Sequence, residues 1–163
     1  MTGAAAALVL MFAQPVLADG SFANGTSVNG VAVGGMSNEE AKAKLGMAPG
    51  ERLVLCFGGS LGAEKLNRAV LEMMKTLAPE HPETRFLLAG GKRDYADCCA
   101  LFRDAGLDGQ KNCVLTDYIY DMPLRMSAAD LVVSRAGAMT LSELGRMALP
   151  AVLVPSPNVT DDH

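Results

Sequence analysis

The sequence contains no tryptophan, three tyrosines and five phenylalanines, and only two histidines, His81 and His163. Its four cysteines, Cys56, Cys98, Cys99 and Cys113, form no C-x-x-C pair. Zinc-ligand spacing is therefore missing, and buried free thiols account for the cysteines. Positive charge is also scarce: the net charge is −4, the pI is near 5.1, and no Lys or Arg precedes Lys42. Without a basic stripe, phosphates along a nucleic acid have nothing to pair with, so nucleic-acid binding is not expected. No D-x-D pattern occurs to suggest an obligatory metal, and no metal or cofactor is expected.

What is present is a chain of 163 residues, long enough for one domain with a substantial core. Of its 32 charged residues (14 Lys and Arg, 18 Asp and Glu) only Asp19 lies before Glu39. That asymmetry divides the chain into an irregular leader, 1–36, and a globular unit, 37–163. The opening "MTGAAAALVLMFAQPVLADG" has an apolar core of about a dozen residues, too short to span a bilayer and of signal-peptide length. Val16-Leu17-Ala18 would suit cleavage, but the basic start of an export signal is missing, which leaves a buried strand, a disordered end or a misplaced gene start as alternatives. "GSFANGTSVNGVAVGG" reads as turns with one short strand around Val28, Val31 and Val33.

From Met36 the pattern becomes regular. Ser37 with Glu40 makes a capping box for a helix through Leu45, Gly46 suits its C-terminal cap, and Pro49-Gly50 makes a turn. Strands are expected at Arg52–Phe57, Arg85–Ala89, Asn112–Leu115, Leu131–Ser134 and Ala151–Val154. Between them lie helices: one with apolar positions Leu66, Ala69, Val70, Met73 and Leu77, then Asp94–Ala105, Asp121–Ala129 and Thr140–Ala148. Alternating strands and helices with nearly continuous apolar strands predict an α/β fold, a Rossmann-like parallel sheet with helices on both faces. Ligand loops then belong at the carboxyl ends of the strands.

Several loops fall on that edge. "FGGSLGAEKLN" follows the first strand and opens a helix, where backbone N–H groups could meet a phosphate. It is neither G-x-G-x-x-G nor a Walker loop, and a tight turn would need the same glycines. "SRAGAMTLSEL" follows the fourth strand. Thr140 with Glu143 fits a capping box there, while Glu143 could instead accept hydrogen bonds from a ribose diol. In "LTDYIYDM", Tyr118 and Tyr120 could lie along an aromatic base or simply pack. Lys92-Arg93 in "LLAGGKRDY" reads as a solvated turn.

Taken in order, "FGGSLGAEKLN", "GKRDY", "VLTDYIYDMPLRMSAADLVVSRAGAMTLSEL" and "LPAVLVPSPNVTDDH" resemble the C-terminal domain of MurG-type glycosyltransferases, over roughly Ser37 to His163. Enzymes of this family move N-acetylglucosamine from UDP-N-acetylglucosamine onto a lipid-linked muramoyl-pentapeptide in peptidoglycan synthesis, at the cytoplasmic face of the membrane. The resemblance implies one half of a two-domain GT-B fold, with donor nucleotide held by this half. It implies that Gly58, Gly59, Ser60 and Gly62 lie near the donor diphosphate and that Ile119 holds uracil through its backbone. Ala138, Met139 and Thr140 would also lie near the diphosphate, with Glu143 on the ribose hydroxyls.

The departures from the family pattern set further expectations. The family continues beyond "NVTDDH" with sugar-contacting residues, and its N-terminal domain has no counterpart in Met1–Met36. The reading is thus a truncated donor half, inactive alone, that reaches the lipid-linked acceptor only through a missing N-terminal domain and carries no catalytic residue. A shorter stretch, "SVNGVAVGGMSNEEAKAKL", resembles repeats of exported peptidoglycan-binding proteins. An exported wall-binding module and a fragment without activity therefore remain as alternatives.

Overall fold

The computed structural model describes residues 8–10, 27–28, 31–32, 34–60 and 62–155. The proposed cleavage site at Val16–Ala18 and the terminal "PNVTDDH" lie outside them. In chain order the elements are β1 (Leu8–Leu10), β2 (Ser27–Val28), β3 (Val31–Ala32), α1 (Asn38–Lys44), β4 (Arg52–Phe57), α2 (Glu64–Leu77) and β5 (Thr84–Ala89). There follow α3 (Tyr95–Asp104), a 3-10 turn at Leu107–Gly109, β6 (Cys113–Thr116), α4 (Met122–Ala128), β7 (Leu131–Arg135), α5 (Ala138–Met147) and β8 (Ala151–Val154). The main sheet runs β1-β8-β7-β4-β5-β6, parallel throughout except for β1, which pairs antiparallel with β8. β2 and β3 form a separate two-stranded hairpin where one short strand was expected.

Alternation along the strands explains the two layers of helix. Leu53, Leu55 and Phe57 of β4 and Leu87 and Ala89 of β5 pack on one side with Ala41, Met126, Leu144 and Met147 from α1, α4 and α5. Cys56, Phe86 and Leu88 face the other side and meet Leu66, Val70, Met74 and Phe102 from α2 and α3. Both faces of the sheet are covered, so the strands read as apolar runs rather than as half-polar ones. Within α2 the buried stripe is Leu66, Asn67, Val70, Leu71 and Met74; Ala69, expected to be apolar core, is exposed. Cys56, Cys98 and Cys113 are buried and Cys99 is half-buried; burial pushes the Cys56 thiol up to about 12, so it stays protonated.

α1 begins where the capping box places it. The Glu40 N–H donates to Ser37 Oγ at 3.2 Å and the Ser37 N–H donates to Glu40 Oε2 at 2.8 Å. The hydrogen bond from the Ser37 N–H holds the Glu40 carboxyl below its ordinary range. This helix is docked by polar contacts as well as by Ala41. Asn38 Nδ2 donates to the carbonyls of Ser127 and Ala129 at the end of α4. Lys42, 6 % exposed at its side chain, donates Nζ–H to Asp130 Oδ1 at 2.9 Å. The other oxygen of Asp130 accepts the Leu53 N–H at 2.7 Å, while the Asp130 N–H donates to the Leu53 carbonyl at 2.9 Å.

Asp130 thus joins α1 to the starts of β4 and β7. Replacing it leaves the Leu53 N–H without a partner and the buried Lys42 ammonium with only the exposed Glu39 carboxylate at 3.3 Å, which costs more than losing a surface pair. Asp130→Ala is expected to lower the unfolding free energy by about 3 kcal/mol, the low end for breaking a buried pair because Asp130 is one-third exposed. Lys42→Met in the same chain should recover part of the loss. Urea melts of the three variants check this, and a double variant no more stable than Asp130→Ala would rule out the stranded ammonium as the cause.

Candidate functional site

In the order β6-β5-β4-β7-β8 the chain leaves β4 toward β5 on one side and later returns to β7 on the other. The loops after β4 and β7 therefore diverge, and a crevice opens between them at the carboxyl edge of the sheet, the position where such folds take ligands. The two loops are 58–63 and 136–137, each running straight into a helix. Both helices start without a side-chain cap: the N-cap of α2 is Ala63 and that of α5 is Gly137. Two sets of helix N–H groups, each with the positive end of its dipole, border one crevice.

The loop after β4 is shaped by its glycines. A Cβ on Gly58 would stand 2.5 Å from the Ala63 Cβ, so the strand end and the helix start can approach this closely only with glycine there. Gly62 has φ +101°, and a Cβ on it would lie 2.6 Å from both the Gly90 carbonyl oxygen and Asp94 Oδ2. Its N–H donates to the Gly59 carbonyl at 3.1 Å. Ser60 is exposed at the outer bend, and its carbonyl accepts the Lys92 N–H from the next loop at 3.3 Å. Gly58, Gly59, Ser60 and Gly62 are thus brought together at the mouth of α2.

Across the crevice α5 corrects one expectation. The Thr140–Glu143 capping box does not form, because Gly137 in extended conformation (φ −84°, ψ 144°) is the N-cap and the helix begins at Ala138, two residues early. Ala138, Met139 and Thr140 make up the first turn, with Ala138 and Met139 exposed and Thr140 half-buried. Glu143 falls in the second turn, where no free helix N–H is within its reach. Its side chain makes no hydrogen bond or ion pair among the described residues, and partial burial raises its carboxyl above the ordinary 4.5.

The third part of the edge is the segment after β6. Ile119 is 5 % exposed and packs into the core with Ala89 and Met126, so its side chain cannot meet a ligand. Its main-chain N–H and C=O are engaged by none of the described residues. Tyr118 and Tyr120 flank it, their rings edge to face at 5.0 Å, with Tyr120 76 % exposed. Lys92 lies exposed in the turn, as the solvated reading has it, and also holds its ammonium 5.2 Å from the Tyr118 ring centre. Arg93 pairs with Asp94 at 2.7 Å.

Two residues escaped the sequence reading. Asn67 closes the motif "FGGSLGAEKLN" yet sits within the buried stripe of α2, and the signal available was a polar residue at an apolar helical position. Asp130 is an isolated carboxylate before an apolar strand, with no local partner to mark it. Among the described residues no group of three or more His, Cys, Asp or Glu side chains could hold a metal ion. No helix among them is long and apolar enough to cross a membrane.

Residues 53–163 match the glycosyltransferase family 28 C-terminal domain. Among curated relatives, the UDP-N-acetylglucosamine--N-acetylmuramyl-(pentapeptide) pyrophosphoryl-undecaprenol N-acetylglucosamine transferase of Acetivibrio thermocellus is 41 % identical over 130 residues, covering 78 % of this chain and 34 % of that protein. The transferase of the same name from Phocaeicola vulgatus is 38 % identical over 128 residues, 78 % of this chain and 33 % of that one. The crystal structure of Acinetobacter baumannii MurG superposes with a TM-score of 0.58 at 31 % identity, covering 76 % of this chain and 34 % of that one. WaaG, at 21 % identity and a TM-score of 0.56, shares the fold. The chain spans about a third of the length of the curated relatives it matches. It belongs to the MurG-type glycosyltransferases of family 28, and what it carries is their C-terminal domain, a Rossmann-like half of the GT-B fold.

Proposed function

We propose that this chain binds the donor of a sugar transfer, UDP-N-acetylglucosamine, in the crevice between α2 and α5. The observation that carries the reading is the pair of uncapped helix N-termini facing one switch point, a setting for a diphosphate that needs no metal. Gly58, Gly59, Ser60 and Gly62 would line one side of the diphosphate, and Ala138, Met139 and Thr140 the other. The unengaged N–H and C=O of Ile119 match the acceptor–donor edge of uracil. Glu143, whose side chain no described residue engages, would take the two ribose hydroxyls as a double acceptor.

In this reading the acceptor hydroxyl displaces UDP from the anomeric carbon in one step with inversion. The bond from that carbon to the diphosphate oxygen breaks as the new glycosidic bond forms, and the electron pair leaves on UDP, where the helix N–H groups stabilise it. The lipid-linked acceptor and the base that takes its proton would come from a partner domain. The transfer as a whole would then occur at the cytoplasmic face of a membrane, in peptidoglycan synthesis.

Glu143→Ala is expected to weaken UDP about ten- to a hundredfold, the loss of charge-assisted hydrogen bonds, while inorganic pyrophosphate competes as before. Isothermal titration of both ligands checks this, and an equal loss for the two would end the ribose assignment.

A pH dependence follows from the same carboxyl. Its raised pKa means that between 4.5 and the raised value the folded chain binds more protons than the unfolded one, so unliganded stability falls as pH rises through that window. Uridine affinity should move the opposite way, rising through the window as the carboxylate forms and then levelling. Uridine titrations across this range, repeated with Glu143→Gln, test it; a variant that keeps the wild-type slope would show that another group titrates.

A further inference from the structure

Asn67 is 1 % exposed, within a stripe of α2 otherwise made of Leu66, Val70, Leu71 and Met74. Its Nδ2 donates to the Gly90 carbonyl at 2.8 Å, and its Oδ1 has no partner among the described residues. The orientation of the amide is fixed, since a carbonyl only accepts and must face the NH2 group. An apolar residue at this place would leave the Gly90 carbonyl, which no other described residue engages, without a donor, so the amide holds that carbonyl while its own oxygen stays unsatisfied.

What the amide holds is the joint between two loops. Gly90 follows β5 and extends its pairing, its N–H donating to the Thr116 carbonyl at 2.9 Å. Its own carbonyl turns to Asn67, and the Cα of Gly62 packs on that same oxygen, where a Cβ would stand at 2.6 Å. On its other side Gly90 meets Cys98, whose Sγ would lie 3.1 Å from a Cβ placed there. The Lys92 N–H to Ser60 carbonyl bond ties the outer ends of the same two loops. Asn67 lies in the first turn of α2, so its reach back to Gly90 fixes the angle at which the helix N-terminus meets the crevice.

We propose that Asn67 is the positioning residue of the diphosphate site: through the Gly90 carbonyl it locks the loop after β5 against the glycine loop and so aims the α2 N–H groups. It touches no ligand itself. The assignment rests on the donor reading above, and the experiment separates the two. Asn67→Leu and Asn67→Ser, each first shown to be folded by circular dichroism, are compared with wild type by hydrogen exchange without ligand and by titration with UDP and with uridine.

The expected result is exchange about tenfold faster at 58–66 and 90–92, the loss of one hydrogen bond, with α4 and α5 unchanged. UDP should weaken by a similar factor while uridine, which lacks the diphosphate, keeps its affinity. Unchanged exchange in both loops, or equal weakening of UDP and uridine, overturns the role of Asn67 while leaving wild-type UDP binding intact. A wild-type chain that binds neither ligand while its loops respond as expected overturns the donor reading, and the diphosphate role falls with it.

Discussion

The parallel register of β4 against β7, Val54 beside Leu131 through Phe57 beside Ser134, is the constraint from which the site descends. It puts the ends of two strands that belong to different halves of the sheet next to each other, so that their following loops part. Asp130 sets this register at its start, accepting the Leu53 N–H and giving its own N–H to the Leu53 carbonyl. A slip of one residue would turn Leu53, Leu55 and Phe57 to the opposite face and separate the two helix N-termini. The carboxylate that guards the bottom of the sheet therefore governs the geometry of its top.

Much of this was legible in the sequence, because period-2 and period-3.6 patterns report directly on which face is buried. β8 falls on its expected residues and β5, β6 and β7 within one residue, and the Ser37–Glu40 box gave α1 its start. The failures have a common physical source. Thr140 and Glu143 satisfy a local capping pattern, but the short connection from β7 lets Gly137 serve as N-cap, and tertiary geometry overrides the motif. Asn67 and Asp130 act through Gly90 and Lys42, partners 23 and 88 residues away, and no periodicity encodes a contact of that kind. Ala69 shows the same limit, since small apolar residues are tolerated on a solvated face.

In the proposed donor site, charge would be met by helix dipoles and chain amides. Among the described residues nothing engages the Glu143 carboxylate or the main-chain N–H and C=O of Ile119, while Thr140 and Ser60 offer hydroxyls at the rim. Such groups are held by backbone and need little reordering when a ligand arrives, which lowers the entropic cost of binding. The rigidity of the glycine loop then matters more than the chemistry of any one side chain, because an N–H group aimed wrongly contributes little.

The antiparallel pairing of Leu8–Leu10 with Ala151–Leu153 has a consequence of a different kind. A strand on the border of a sheet displays a row of open donors and acceptors, a template onto which a second molecule can add. Three residues from the far end of the chain occupy that row on β8. A version of the protein trimmed to begin at Ser37 would keep every residue of the crevice and still expose a sticky border. Its behaviour at high concentration, rather than its chemistry, would register the missing strand.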